Sequence, residues 1–302
     1  MIRFFDGGMG SMLNLAAGEL PEKLNISEPE RVFAVHKGYA DAGAEFITAN
    51  TFGANSLKYD NVDELVKAGV ALAIKAGKYV ALDIGPTGKL LKPMGDLEFE
   101  RAVELFAEVV RAGKDGSDVA IIETMSDMYE LKAAVIAVKE NSDLPIITSM
   151  IFDESGRLLT GGDVKSAVTM LEGLRVDAIG FNCGLGPKQM IPLVKELREC
   201  TSLPILVMPN AGLPESVDGK TVYNVSPDEF AQDMREIAKL GVSILGGCCG
   251  TTPKHIAKMI ELCKDIPDNV PKKKNDTVVC SYSSAVTIGE KPVVIGERIN
   301  PP

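Results

Sequence analysis

The sequence predicts a (β/α)8 barrel, a TIM barrel of eight parallel strands ringed by helices, and three observations carry that expectation. Strand-like and helix-like segments alternate about eight times along the 302 residues, the rhythm of repeated βαβ units. The length suits one barrel of about 250 residues with an extension. Most of the strand-like runs stop at a polar or glycine-rich turn. In a parallel barrel those turns ring the C-terminal face, where such folds place their chemistry. An open doubly wound sheet is the alternative. Against it, no G-x-G-x-x-G turn follows the first strand-like run, and no Walker-type phosphate loop occurs.

The strand-like runs fall at residues 3–5, 46–49, 79–83, 119–123, 146–150, 178–182, 205–208 and 243–245. Amphipathic stretches lie between them, as at 29–42, 98–113, 128–140, 189–199 and 227–240. The first strand ends at Asp6-Gly7-Gly8, the second at Asn50-Thr51 and the third at Asp83-Ile84-Gly85. The fourth ends at Glu123-Thr124, the sixth at Asn182-Cys183, the seventh at Asn210 and the eighth at Cys248-Cys249. Singly, each has a plain reading: Asp6 is a turn former, and Asn50 and Asn210 tolerate left-handed backbone. Their coincidence on one face is what singles them out.

The last of these turns, Gly246-Gly247-Cys248-Cys249-Gly250, leads into helix-start chemistry, with Thr251 or Thr252 as N-cap and Pro253 at the first helical position. Neighbouring side chains on a strand point to opposite faces. Two adjacent thiols therefore serve one ion only if the backbone leaves strand geometry, which the three glycines permit through positive φ. Two small buried thiols in a tight turn is the competing reading. A disulfide between neighbours would close a strained ring. Cys183, at another strand end before a glycine, is the candidate third ligand. Three thiolates with an open fourth position make a catalytic zinc site rather than a closed structural one. The two histidines, His36 and His255, lie in helix-like segments and read as surface or packing residues. Cys200, Cys263 and Cys280 have no ligand-like spacing and read as structural.

Five segments occur in order: Asp6-Gly7-Gly8-Met9-Gly10, Asn50-Thr51-Phe52-Gly53-Ala54-Asn55, Phe181-Asn182-Cys183, Pro209-Asn210-Ala211-Gly212 and Gly247-Cys248-Cys249-Gly250. Together they resemble the homocysteine S-methyltransferase family, from about residue 3 to about residue 263. The resemblance is greatest to the N-terminal homocysteine-binding module of cobalamin-dependent methionine synthases. It implies a zinc-dependent methyltransferase that forms methionine from homocysteine, with methylcobalamin on another domain or protein as donor. Zinc would be held by Cys183, Cys248 and Cys249. A bound zinc deprotonates a coordinating thiol. Three cysteinates leave the site at net charge −1, and a substrate thiolate would make it −2, which keeps the sulfur nucleophilic. A histidine-rich set suits water activation instead. Asp6 and Glu123 are placed to pair with the substrate ammonium, and the amides of Gly7, Gly8 and Met9 to hold its carboxylate. Asn50 belongs to the same polar ring. The resemblance also makes Asn210 an oxygen ligand before substrate arrives.

Net charge is −10, which argues against nucleic-acid binding. No apolar run approaches a membrane span and no secretory signal is read at the start; a cytoplasmic, reducing setting is expected because it fits thiols kept free for a metal. Residues 1–264 read as the barrel and 265–302 as a linker followed by the start of another domain. The stretch 266–276 holds two prolines and three consecutive lysines and reads as solvated. The run from Pro292 to Pro301 resembles the opening strand of the pterin-binding (folate-binding) domain that follows the homocysteine module. Partners expected on these grounds are homocysteine, a corrinoid-binding domain or protein, and a folate-binding domain of a longer chain. Betaine or S-methylmethionine as donor, another thiol as acceptor, and a zinc-binding scaffold without turnover are the competing readings.

Overall fold

The computed structural model describes residues 1–15, 18–217, 220–289 and 291. Its centre is a ring of parallel strands: β1 (Arg3–Phe4), β2 (Phe46–Thr48), β3 (Tyr79–Ile84), β4 (Val119–Met125), β5 (Ile146–Met150), β6 (Ala178–Asn182) and β7 (Ile205–Met208). An antiparallel hairpin of β8 (Pro214–Val217) and β9 (Lys220–Tyr223) is inserted before the last barrel strand, β10 (Ile244–Leu245). The sheet order is β1-β10-β7-β6-β5-β4-β3-β2. A parallel bridge from Phe5 to Phe46 closes the ring. The barrel expectation holds, with each expected strand in place and its ends moved by two residues at most.

Helices cover the outside. After β1 come α1 (Met9–Leu13), α2 (Leu24–Ser27) and α3 (Pro29–Asp41), and after β2 comes α4 (Val62–Ala76). Then follow α5 (Phe99–Gly113), α6 (Met128–Asn141), α7 (Val164–Gly173), α8 (Pro187–Cys200), α9 (Pro227–Lys239) and α10 (Pro253–Cys263). The helix α5 shows why. Leu105, Phe106, Val109 and Val110 recur at helical spacing and are all buried against the sheet. Burial of each such side chain contributes roughly 1.5–3 kcal/mol before the entropy of ordering is set against it. Starts are capped where the sequence has the chemistry. Asp127 accepts from the Tyr129 and Glu130 amides ahead of α6, and Ser226 and Glu229 form a reciprocal box at α9. The N-cap of α10 is Thr252, whose hydroxyl meets His255 Nδ1 at 2.9 Å. Both histidines are buried packing residues.

The strand period of two sorts side chains into two cores. Phe5, Ala81, Ile121, Ile147, Ala178 and Leu206 fill the barrel interior, with Phe5 stacked on Phe46 at 4.7 Å. The same parity carried two residues further reaches Asp83, Glu123 and Ser149, and on β6 four residues further, past Gly180, it reaches Asn182. The interior therefore changes from apolar to polar at its C-terminal end.

After α10 the chain crosses the opposite, N-terminal end. This stretch, expected to be a solvated linker, is largely exposed yet fastened. Ser243 donates to Asp268 Oδ1 at 2.8 Å, Arg198 to Asn269 O at 2.9 Å, and the Lys274 amide to Ser202 Oγ at 2.8 Å. A hairpin not read from the sequence, β11 (Thr277–Cys280) and β12 (Ala285–Ile288), then lies on α7, where Lys165 Nζ reaches Thr287 Oγ1 at 2.7 Å. Cys263 is buried as a structural residue should be, whereas Cys280 is exposed. The stretch 292–302, with its expected opening strand, lies outside the described residues. Among the described residues no helix is long and apolar enough to cross a membrane.

Candidate metal and substrate site

A cavity of about 260 Å³ opens at the C-terminal end of the barrel. Asp6, Gly7, Gly8, Asn50, Glu123, Cys183, Cys248 and Cys249 all line it. Asn210 sits just behind, its Oδ1 accepting the Cys249 amide at 3.0 Å. Segments more than two hundred residues apart in sequence thus meet around one small space.

The thiols converge through backbone turns. Cys183 itself adopts a left-handed conformation (φ +57°), followed by Gly184 at +67°. That breaks the alternation after Asn182 and swings the sulfur sideways, and its amide stays tied to Met208 O at 3.2 Å. Of the three glycines expected to free the Cys248-Cys249 turn through positive φ, only Gly250 has one, at +78°. Gly246 and Gly247 are needed for space instead. A Cβ on Gly246 would lie 2.9 Å from Phe5 Cβ, and one on Gly247 2.6 Å from Thr251 Oγ1. The sulfurs of Cys183, Cys248 and Cys249 all lie within 4.8 Å of one another, with Cys183 and Cys249 at 3.9 Å.

These thiols do not titrate independently. Cys249 is drawn down to about 3, chiefly by hydrogen bonds from Cys183 and then from Cys248. Cys248 is pushed well above the ordinary thiol value by its bonds to Cys183 and Cys249 and by burial. One thiolate with two thiols turned toward it is an arrangement that a soft divalent cation can take over. The spacing fits as well, since a tetrahedral ion with zinc–sulfur bonds of ~2.3 Å sets its sulfurs ~3.8 Å apart. The donor set therefore fits zinc.

Asn182 braces this cluster from below. Its Oδ1 accepts from the Thr124 amide and from Ser149 Oγ, both at 2.8 Å. Its Nδ2 donates to Thr124 Oγ1 at 2.7 Å and lies 3.9 Å from Cys248 Sγ. Thr124 needs the support, because it sits at φ +64° where the register of β4 slips. Glu123 lies within that slip, between Ile122 and Met125.

The other side of the cavity is acidic. Asp6 is buried and doubly held, with Thr48 donating from its amide at 2.9 Å and from its hydroxyl at 2.7 Å. Burial still raises its pKa to about 7. Glu123 rises to about 8 through burial first, then the charges of Asp6 and Cys249. Asp83, on the neighbouring strand, is raised well above the usual range by burial and by Glu123, Asp6 and Glu22.

Two expected site residues have other duties. The Gly8 amide donates to Thr251 Oγ1 at 3.1 Å and is not free for a ligand. Gly7 and Gly8 leave room, since a Cβ on Gly7 would lie 2.9 Å from Tyr39 Oη. The Asn50 amide nitrogen is spent on Pro21 O at 2.9 Å and Asn25 Oδ1 at 2.8 Å. It locks the segment before α2 against the end of β2. Sequence reasoning did not assign roles to Asp83, Asn182, Glu22 or Tyr223. Asp83 and Asn182 carried a signal as strand-end polar residues of inward parity. Glu22, whose carboxylate accepts from Gly53 N and Tyr59 Oη at 2.5 Å each, carried none. Neither did Tyr223, whose hydroxyl stands against Cys249.

Comparison with known proteins agrees with this geometry. A sequence profile of the family described as homocysteine S-methyltransferase matches residues 3–263. Two curated relatives, the methionine synthases of Mycobacterium leprae and Mycobacterium tuberculosis, are 32% and 31% identical over 98% of this chain. The chain spans only 28% and 27% of their lengths. Among solved structures, the metallated form of the homocysteine methyltransferase MmuM from Escherichia coli superposes with a TM-score of 0.73. It is 23% identical over 85% of this chain and 95% of that one, a likeness of fold.

Proposed function

The chain belongs to the homocysteine S-methyltransferase family, and from that premise we propose that its barrel methylates homocysteine with a methyl group carried by a corrinoid on another domain or protein. The single observation that carries the reading is the division of one cavity into two halves. Three thiols gather on one side and buried carboxylates on the other. An amino acid with a thiol side chain offers a soft anion at one end and an ammonium at the other, and the cavity complements both.

Cys183, Cys248 and Cys249 would hold zinc, which when bound supplies the charge that keeps a coordinating thiol deprotonated at neutral pH. The residues of the chain do the rest. Three cysteinates around one divalent cation leave net charge −1, so the ligand set does not drain electron density from a fourth sulfur. The cavity is open at the barrel mouth, as a bulky donor requires. Glu123 and Asp6 receive the ammonium, which fixes the amino acid's orientation and leaves its sulfur toward the cysteines. Asn182 keeps the Glu123 turn and Cys248 in one frame. The methyl group passes to sulfur without its bonding electrons, which stay with the donor, and the thiol proton leaves to solvent.

The share of the relatives' length that this chain covers supports a modular reading. Residues 1–264 form the homocysteine barrel, and 265–302 lead toward a following pterin-binding-like domain. Free thiols reserved for a metal suit a reducing compartment, which we take to be the cytoplasm.

The test is a methyl-transfer assay with the zinc-loaded chain, homocysteine and three donors. Free methylcobalamin should give slow methionine formation, because no tether raises the local donor concentration. A methyl-loaded corrinoid protein added in trans should accelerate it in a concentration-dependent way. Turnover with betaine or S-methylmethionine alone would replace this reading with the stand-alone one.

A further inference from the structure

We propose that Asp83 is a third receptor for the cationic end of the substrate, so that the cavity reads a primary ammonium through three carboxylates: Asp6, Asp83 and Glu123. The inference rests on the homocysteine reading and adds to it a residue and a selection rule.

The argument begins with what is unpaired. Asp83 is 5% exposed, yet its Oδ1 has no hydrogen-bond partner. A buried carboxylate oxygen without a donor is costly, and folded proteins rarely leave one so. Its surroundings make the omission specific. Asp6 takes two bonds from Thr48. Glu22 takes one each from Gly53 and Tyr59. Even the backbone of Asp83 is satisfied, its carbonyl accepting from Thr51 Oγ1 at 2.8 Å. Only the side chain is left over, and it lines the cavity. Rotation about its Cβ–Cγ bond is soft, so either oxygen can be presented.

Parity and register bring it to Glu123. Asp83 pairs with Ile121 on the adjacent strand, and Glu123 lies two residues on, on the same inward face. Burial holds both carboxyls above their ordinary range, aided at Asp83 by the charges of Glu123, Asp6 and Glu22 and at Glu123 by those of Asp6 and Cys249, a repulsion that an incoming cation relieves.

The chemistry of that cation follows from the geometry. A hard divalent metal needs several oxygens at ~2.0–2.6 Å. Among the described residues, the only group of three or more ligand side chains close enough for an ion is the cysteine trio. A primary ammonium suits the wider spacing, because it carries three N–H donors that diverge. One can go to each carboxylate. An N-methylated amine would forfeit at least one of these bonds, and an analogue without the amine would forfeit all three.

The experiment is a calorimetric titration of the zinc-loaded chain and its Asp83→Asn variant. The ligands are L-homocysteine and 4-mercaptobutanoate, which keeps the thiol and carboxylate but lacks the amine. Asn preserves the shape and can carry no buried charge, so the variant should melt no lower than wild type. Asp83→Ser takes its place if it does. Removal of one charged hydrogen bond should weaken homocysteine binding by roughly tenfold to a hundredfold. Binding of 4-mercaptobutanoate should stay within about twofold, which also shows that the variant is folded. Equal homocysteine affinity in the two proteins overturns the proposal and leaves the functional reading intact. So does an equal loss for both ligands. Failure of the wild-type chain to bind homocysteine at all overturns both.

Discussion

Asn182 turns its side-chain nitrogen toward the sulfur of Cys248 at 3.9 Å while its oxygen holds the amide of Thr124 at 2.8 Å. One amide thus spans the thiol half of the cavity and the turn that carries Glu123. Asn182 is fully buried, and it supplies the acceptor for both Thr124 N–H and Ser149 Oγ.

Asn182→Ala should therefore cost more than a typical polar deletion. Two buried donors lose their acceptor, so urea unfolding should show a loss of about 2–4 kcal/mol. Zinc affinity and homocysteine affinity should fall together, measured by chelator competition and by calorimetry. An Asn182→Ala chain as stable as wild type, with one affinity unchanged, would remove the bracing role.

Cys248→Ala should leave two sulfurs where three converge. Metal analysis after dialysis should find well under one zinc per chain, against one in the wild type. Full zinc occupancy in the variant would show that the ion sits elsewhere.

Glu123→Gln separates the two halves of the cavity. Zinc should remain, because Glu123 supplies no ligand. Homocysteine affinity should drop by about 1.5–3 kcal/mol, the range for a charged hydrogen bond. The paired measurement is metal content and calorimetry on one preparation.

His36 provides a pH signature remote from the cavity. Its ring is fully buried in α3 and neither nitrogen has a partner. Burial lowers its pKa from 6.5 to about 4. Between those values the unfolded chain binds the proton and the folded chain does not, so stability is full above pH 6.5 and falls as the pH drops toward 4. Between pH 7 and 4.5 this group should remove roughly 2–3 kcal/mol of stability. In His36→Phe that part of the loss should vanish, as read from urea midpoints at the two pH values. Asp6 and Glu123 are shifted the opposite way, so their contributions fall as pH rises, but they are common to both proteins and cancel in the comparison. Parallel pH profiles for the two chains would mean that the ring is hydrated.

Much of this architecture was legible in the residues. Short apolar runs such as Ala178–Asn182 end sharply at polar turns, so the barrel strands and their functional ends announce themselves together. The cysteine trio followed from glycine-flanked strand ends. What lay hidden depended on register or on distance. Asp83 looks like any strand-end carboxylate until the pairing of β3 with β4 sets it beside Glu123. The left-handed Cys183 could not be foreseen, since no side-chain preference marks it. Gly246 and Gly247 were read for flexibility and serve for closeness, because the sequence does not reveal which neighbours press on them. Tyr223 arrives on an inserted hairpin that forms no part of the eight-strand pattern. Asn50, equally prominent in sequence, spends its amide on Pro21 and Asn25, a choice that only the folded neighbours dictate.

The hairpin of β11 and β12 has a practical consequence. Its Tyr282 hydroxyl donates to Asp127 Oδ2 at 2.5 Å, and its ring meets Tyr129 edge-on at 4.8 Å, beside the end of β4. The chain contains no tryptophan. Tyr129 is 43% exposed and has room for a larger ring. A single indole placed there would be the molecule's only one, set between the barrel rim and the strand pair that follows α10. Its emission would make the fastening of that strand pair to the rim an optical quantity, readable in dilute solution while the cavity fills and empties.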